Sequence, residues 1–221
     1  MKIYEFREEL IHLDKDLATR TNVEESLKET LENALLIYYD HGMETCLSAQ
    51  WGQDCVFDLS NASLTKSKMV YTLACLSGKS LLPRMVVEGA LTAWGYDRVF
   101  GFCIGTYEKY FETQANCGLE NLLDGKAFDE AKKAFFERSY EMVDELDKKG
   151  ASPVADQVIW NLESLKVLGD LDTKIPIPPK KPPTPPTCPV SRAIVALFGY
   201  RTLNALRKMR NRLTSKNHLR T

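Results

Sequence analysis

Two apolar runs organise the chain. Residues 34–39 and, apart from Thr72, residues 69–74 are hydrophobic, rich in β-branched and aromatic side chains, and each run stops at a chemically competent group, His41 followed by Gly42 in the first and Cys75 followed by Ser77 and Gly78 in the second. Unbroken rather than alternating apolar character predicts strands buried on both faces of a parallel sheet. Between them, residues 42–68 turn polar, with a short extended piece over 55–59 and a loop or turn over 61–68. A helix is predicted over 81–94, with Pro83 in its first turn and Gly95 as its left-handed stop, then a third buried strand over 98–105. Amphipathic helices follow over 106–123 and 128–148, the second with Ala131, Phe135, Tyr140 and Val143 on its apolar side; a third starts at Ser152 and Pro153 and runs through Val158, Trp160 and Leu165. Upstream, Thr21 or Asn22 can cap a helix running through Leu27 and Leu31. Ile3, Phe6, Leu10 and Leu13, at helical spacing, predict a surface helix or an adapted edge segment. Alternation of strands and helices makes the body, residues 1–170, an α/β domain with a mainly parallel sheet.

The pattern changes after residue 170. Residues 175–189 contain eight prolines in fifteen positions, which predicts an extended polyproline spacer about 45 Å long within a linker over 171–189. Beyond it, Ile194, Leu197, Tyr200, Leu203, Leu206 and Met209 recur every third residue among arginines and lysines, predicting a basic amphipathic helix over 190–221. A formal net charge of −1 hides this polarity: residues 1–179 hold 30 acids and 19 bases, whereas the ten remaining bases meet no acid. Such asymmetry suits self-association, docking on an acidic protein, or an anionic membrane surface; aromatic side chains are too sparse in the tail for stacking on nucleic acid.

Composition narrows the chemistry. At 44% hydrophobic and 27% charged residues, the chain reads as a globular protein, and its acidic first residues lack the apolar core of a secretory signal, so a cytoplasmic location is the expectation. Six cysteines (46, 55, 75, 103, 117 and 188) form no C-x-x-C pair and read mostly as small buried hydrophobes. Three histidines without paired Cys/His spacing predict no metal site, and no cofactor is implied. Gly78-Lys79-Ser80 imitates the end of a phosphate loop, but Leu73 stands where that loop requires its first glycine.

Carboxyl ends of neighbouring parallel strands open into one crevice, so His41 and Cys75 are predicted to share a site. An apolar run ending in His41-Gly42, then a second ending in Ala74-Cys75 with small Ser77, resembles the caspase-like cysteine peptidase superfamily, most closely its prokaryotic gingipain-like and CHAT branches. The likeness extends over residues 15–148. It implies a three-layer α/β/α sandwich and a cysteine endopeptidase in which the Cys75 thiolate attacks the scissile carbonyl. His41 would protonate the leaving amine, and the backbone N–H groups of Gly42 and Cys75 would receive the oxyanion. Asp40, Asp54 and Asp58 are candidates for an acidic pocket that binds substrate, against the plainer reading of solvated loop carboxylates. In one respect the chain departs from the family pattern: two strands usually precede the histidine strand, and only 33 residues precede Ala34 here. Either the first strand-helix unit is missing, or residues 1–15 supply one replacement strand. An exposed parallel edge would call for a second copy or a partner chain. A catalytically inactive caspase-like interaction module, positioned by its basic C-terminal helix, is the alternative.

Overall fold

Both apolar runs become central strands. The computed structural model describes residues 10–49, 54–176 and 194–198, and in it β1 (Leu10–Asp14) is followed by helix α1 (Arg20–Glu29) and β2 (Leu35–Tyr39), the strand leading to His41. Three short strands come next: β3 (Gly42–Met43), β4 (Cys46–Ser48) and β5 (Cys55–Asp58). Strand β6 (Met69–Leu73) leads to Cys75, then helix α2 (Leu81–Val87) and β7 (Thr92–Tyr96). Three longer helices, α3 (Glu108–Leu123), α4 (Phe128–Lys148) and α5 (Ser152–Glu163), precede β8 (Leu165–Gly169); β9 (Ile194–Phe198) comes last.

The main sheet has the order β1-β9-β2-β6-β7-β8, parallel throughout except for β8 against β7. All five residues of β2 and of β7 are buried, which explains their lack of alternation. Successive β2 side chains point to opposite faces and so enter different cores. Leu36 and Tyr38 pack with Val23 and Leu27 of α1 and Leu81, Leu82 and Met85 of α2. Leu35, Ile37 and Tyr39 pack with Leu119 and Leu122 of α3, Phe128 and Phe135 of α4, and Leu162 of α5. The sheet therefore lies between two helical layers. On the second face Trp94 stacks on Tyr71 at 5.2 Å and meets Phe135 edge-on at 5.7 Å, contacts that contribute about 0.5–1.5 kcal/mol each beyond burial.

Several boundaries differ from the sequence expectation. The helix expected over 81–94 stops at Val87, because Gly89 takes a left-handed φ of +101° and releases the chain into β7. Trp94 and Gly95 thus belong to a buried strand. The stretch expected as the third strand, 98–105, is irregular, and Phe102 and Ile104 are 58% and 82% exposed, since apolar content by itself does not secure burial. At α1 the cap is Thr19, whose hydroxyl accepts from the Asn22 N–H at 3.2 Å, and the helix ends before Leu31, which is exposed. On α4, Tyr140 faces outward, and Met142 and Leu146 join Ala131 and Phe135 inside. Helix α5 ends at Glu163, leaving Leu165 to open the unexpected strand β8.

The largest correction concerns the C-terminal segment. Residues 194–198, expected as the start of a basic helix, form β9, inserted between β1 and β2 and paired in parallel with both. Their Ile-Val-Ala-Leu-Phe sequence has strand propensity, but only a vacant sheet position decides between strand and helix for so short a run. Residues 10–14 do supply a strand before His41, although it lies one position further out than β2's neighbour. The β2 edge expected to be open is covered by the chain itself. The expected helical positions Ile3 and Phe6, the spacer over 177–189 and the segment 199–221 lie outside the described residues.

Candidate active site

The adjacent parallel strands β2 and β6 pair in register to Tyr39 and Leu73. His41 and Cys75 each stand two residues beyond that last pair, at the same carboxyl edge. Their backbones then stay in contact: a Cβ placed on Gly42 would lie 2.8 Å from both the Ala74 Cβ and the Cys75 carbonyl oxygen. Only glycine permits this approach. His41 is exposed and the Cys75 thiol half-buried.

The hairpin that carries His41 is fastened on several sides. Tyr38 Oη lies 2.7 Å from the carbonyls of both His41 and Ser48, sharing its one proton between them, and its burial raises its pKa well above the ordinary phenol value. The Asp40 carboxylate accepts from the His41 N–H at 2.8 Å; burial raises its pKa, while this hydrogen bond and the nearby imidazole pull the other way. At the hairpin tip Glu44 binds the segment after Cys75 twice, its carbonyl accepting from Leu81 N–H at 2.9 Å and its carboxylate pairing with Lys79 at 2.6 Å. The Ser48 N–H donates to the His41 carbonyl, so alternation along the antiparallel pair makes Gly42 and Leu47 a pair whose N–H groups point away from each other. Gly42 can therefore present its N–H outside the hairpin.

Cys75 opens a tight turn between β6 and α2. Leu76 has φ +62°, a left-handed conformation that costs a leucine about 1 kcal/mol or more, and its N–H is held by the Arg98 carbonyl at 3.1 Å. The buried Ser77 hydroxyl donates to the Ala74 carbonyl at 3.1 Å and sits 3.1 Å from Thr72 Oγ1, closing the turn from inside. The apparent phosphate-loop residues are spent on this turn: Gly78 N–H donates to the Tyr96 carbonyl, and Lys79 N–H to that of Leu76. In a nucleophile elbow the strained residue is the nucleophile itself, whereas here the left-handed conformation falls on Leu76, the residue after Cys75.

The carboxylates expected around the site separate. Asp40 adjoins His41, and Asp54 is exposed on the excursion. Asp58 pairs with Arg20 at 2.6 Å, and that guanidinium together with Ser60 holds its carboxyl down to about 2. It is thereby committed to joining β5 to α1. Cys117 is buried and its thiol pushed up to about 11, which suits a structural role; Cys103 is free and half-buried on the irregular stretch. Among the described residues no cluster of three or more His, Cys, Asp or Glu side chains could hold a metal ion.

Cys46 and Cys55, which the sequence places in the polar stretch after His41 with no sign of pairing, are joined in a disulfide with Cα atoms 5.7 Å apart. Pairing of β4 with β5 brings them together across a separation of nine residues, and no local sequence signal announces it. The bond staples the small sheet that holds Gly42 in place. By the chain-entropy account a loop of this size contributes about 2–3 kcal/mol. Reduction by dithiothreitol is expected to expose two additional thiols per chain to alkylation and to lower the melting temperature; thiol counting by mass and a thermal scan with and without reductant measure both. Disulfides persist chiefly in oxidising compartments, which weighs against the expected cytoplasmic location. No described helix is long and apolar enough to cross a membrane.

Three features here had no sequence signature: the Leu76 conformation, the Glu44 clasp and the disulfide. Comparison with known proteins adds no relative, since no family model, curated protein or solved structure matches the chain.

Proposed function

We propose that this chain is a cysteine-type endopeptidase with Cys75 as nucleophile and His41 as general acid and base. One observation carries the reading. Strands β2 and β6 are adjacent, parallel and in register to within two residues of both side chains, and Gly42 touches the Ala74–Cys75 peptide. The reaction follows from the groups present. The thiol proton passes to the imidazole, the thiolate adds to the scissile carbonyl, and the imidazolium returns the proton to the departing amine, leaving a thioester on Cys75. Water then adds to the thioester with His41 as base, releasing the acid and restoring the thiol. The N–H groups of Gly42 and Cys75 are assigned to the oxyanion, where each fixed donor contributes about 3 kcal/mol. Substrates are protein or peptide segments that reach the open carboxyl edge. A caspase-like ancestry belongs to the same proposal and rests on the two phrases and their placement.

The test uses the full chain and an iodoacetamide probe, read by peptide mapping. Cys75 is expected to label faster than Cys103 and Cys117, and Cys75→Ala to lower cleavage of a peptide library at least a thousandfold while Cys103→Ala leaves it unchanged. Equal labelling of the three thiols, with cleavage unaffected by Cys75→Ala, would refute the assignment and favour an inactive interaction module.

A further inference from the structure

Tyr38 carries a hydroxyl where a plain phenyl ring would pack as well. It is 2% exposed and lies in the core with Leu36, Leu81, Leu82 and Met85, and a buried hydroxyl costs stability unless it is bonded. Its partners are not core groups. They are the carbonyls of His41 and Ser48, both at 2.7 Å, on the two arms of the hairpin that carries the candidate site.

The ladder explains why two carbonyls are left for it. The pairs Met43–Cys46 and Gly42–Leu47 continue to His41 and Ser48. Residues opposed at such a position ordinarily exchange two N–H···O bonds. Only one forms: the Ser48 N–H donates to the His41 carbonyl at 3.0 Å, whereas the His41 N–H turns to the Asp40 carboxylate at 2.8 Å. The Ser48 carbonyl thereby loses its ladder donor. The Tyr38 hydroxyl stands in for it while meeting the His41 carbonyl as well.

The His41 carbonyl and the Gly42 N–H are the two ends of one peptide group. Because that unit is planar, whatever fixes the carbonyl also fixes the direction of the N–H. Two donors approach this carbonyl, the Tyr38 hydroxyl and the Ser48 N–H, so the plane cannot turn without disturbing both. Hydrogen bonds to a carbonyl also polarise the peptide and strengthen the N–H at its other end. Burial, aided by the Asp40 charge, holds the Tyr38 pKa well above the ordinary phenol value. At neutral pH it is therefore a donor and not an acid or base.

We propose that Tyr38 is a positioning residue of the site: through the His41 carbonyl it sets the plane of the 41–42 peptide and aims the Gly42 N–H at the oxyanion. The assignment rests on the peptidase reading and adds to it a group that acts only through the backbone.

Tyr38→Phe tests it, with Tyr39→Phe beside it. The Tyr39 phenol lies in the opposite core and bonds the Ala115 carbonyl at 3.3 Å and the Asn116 side chain at 3.1 Å, so its loss removes a comparably buried hydroxyl away from the hairpin. On the best-cleaved peptide of a library, Tyr38→Phe is expected to lower kcat about tenfold with KM unchanged, since an oxyanion donor acts in the transition state. Tyr39→Phe should leave both constants at wild type while lowering the melting temperature as much. Alkylation of Cys75 by iodoacetamide, a displacement that builds no oxyanion, should keep its rate in both. Wild-type kcat in Tyr38→Phe, beside an inactive Cys75→Ala, would overturn the assignment and leave the peptidase reading standing. An equal loss in the two phenylalanine variants would also defeat it, as would a fall in Cys75 alkylation matching the fall in kcat, because general loosening then accounts for the effect. Cleavage untouched by Cys75→Ala sinks the peptidase reading and this assignment with it. Should Tyr38→Phe fail to fold, the unmodified chain decides. A hydroxyl proton held between two carbonyls is expected to exchange with water slowly enough to be seen by NMR, and one that exchanges like an exposed phenol removes the bridge.

Discussion

Gly42→Ala is expected to lower kcat/KM on a peptide substrate a hundredfold or more while leaving the chain folded. The added Cβ would meet the Ala74 Cβ and the Cys75 carbonyl at 2.8 Å, closer than carbon atoms approach, and both neighbours belong to a turn already fixed by Ser77 and by the Leu76 N–H. The hairpin must therefore move. Its retreat carries His41 away from Cys75 and draws the Gly42 N–H from the place where an oxyanion would form. A hundredfold loss corresponds to about 2.7 kcal/mol of transition-state stabilisation, near the contribution of one oxyanion donor. Overpacking costs about 1–3 kcal/mol of stability, so a melting temperature lowered by several degrees should accompany the change. Kinetics and a thermal scan on one preparation separate the two effects. Wild-type kcat/KM in a folded Gly42→Ala variant would remove the close approach, and with it the assignment of Gly42, from the mechanism.

The second large effect is expected from Ala196→Pro. β9 has a neighbour on each side, and Ala196 sits at the middle of its five residues, paired with His12 and Ile37. Proline there removes a ladder donor and sets its ring against the adjoining strand, a substitution tolerated only at sheet edges and bulges. We expect a loss of about 3 kcal/mol or more, a substantial share of the stability of a domain this size. Because β2 leads to His41, amide exchange should rise along residues 35–39 and the proposed peptidase activity fall together. Chemical denaturation and hydrogen exchange read this directly. If unfolding and exchange stay unchanged, β9 is not a member of the sheet.

How much of this was legible in the sequence varies with distance along the chain. Strands β2 and β6 were plain, because burial on both faces of a parallel sheet favours apolar residues throughout, as residues 35–39 have and residues 69–73 have apart from Thr72, whose hydroxyl is satisfied by the Trp94 carbonyl. Helices α3 and α4 were plain for the matching reason, having one apolar stripe against a sheet. Strand β7 was hidden because Thr92 to Tyr96 closely follows a real helix, and Gly89, one of the four residues between them, exerts its effect through a backbone angle. The stretch 98–105 misled in the opposite sense: Phe102 and Ile104 are apolar but exposed, and composition does not report what covers a side chain.

The chain alone determined which residues are chemically able to act, His41 and Cys75, and that each follows a strand long and apolar enough to be buried. Those properties are local, set by residue type and period. Only the tertiary structure decided that the two strands are neighbours in register, that Gly42 lies against Cys75, that Cys46 meets Cys55, and that a segment more than 150 residues downstream completes the sheet beside β2. These are contacts between distant residues. A strand carries the same pattern whichever neighbour it pairs with, so its partners are chosen by the assembled sheet.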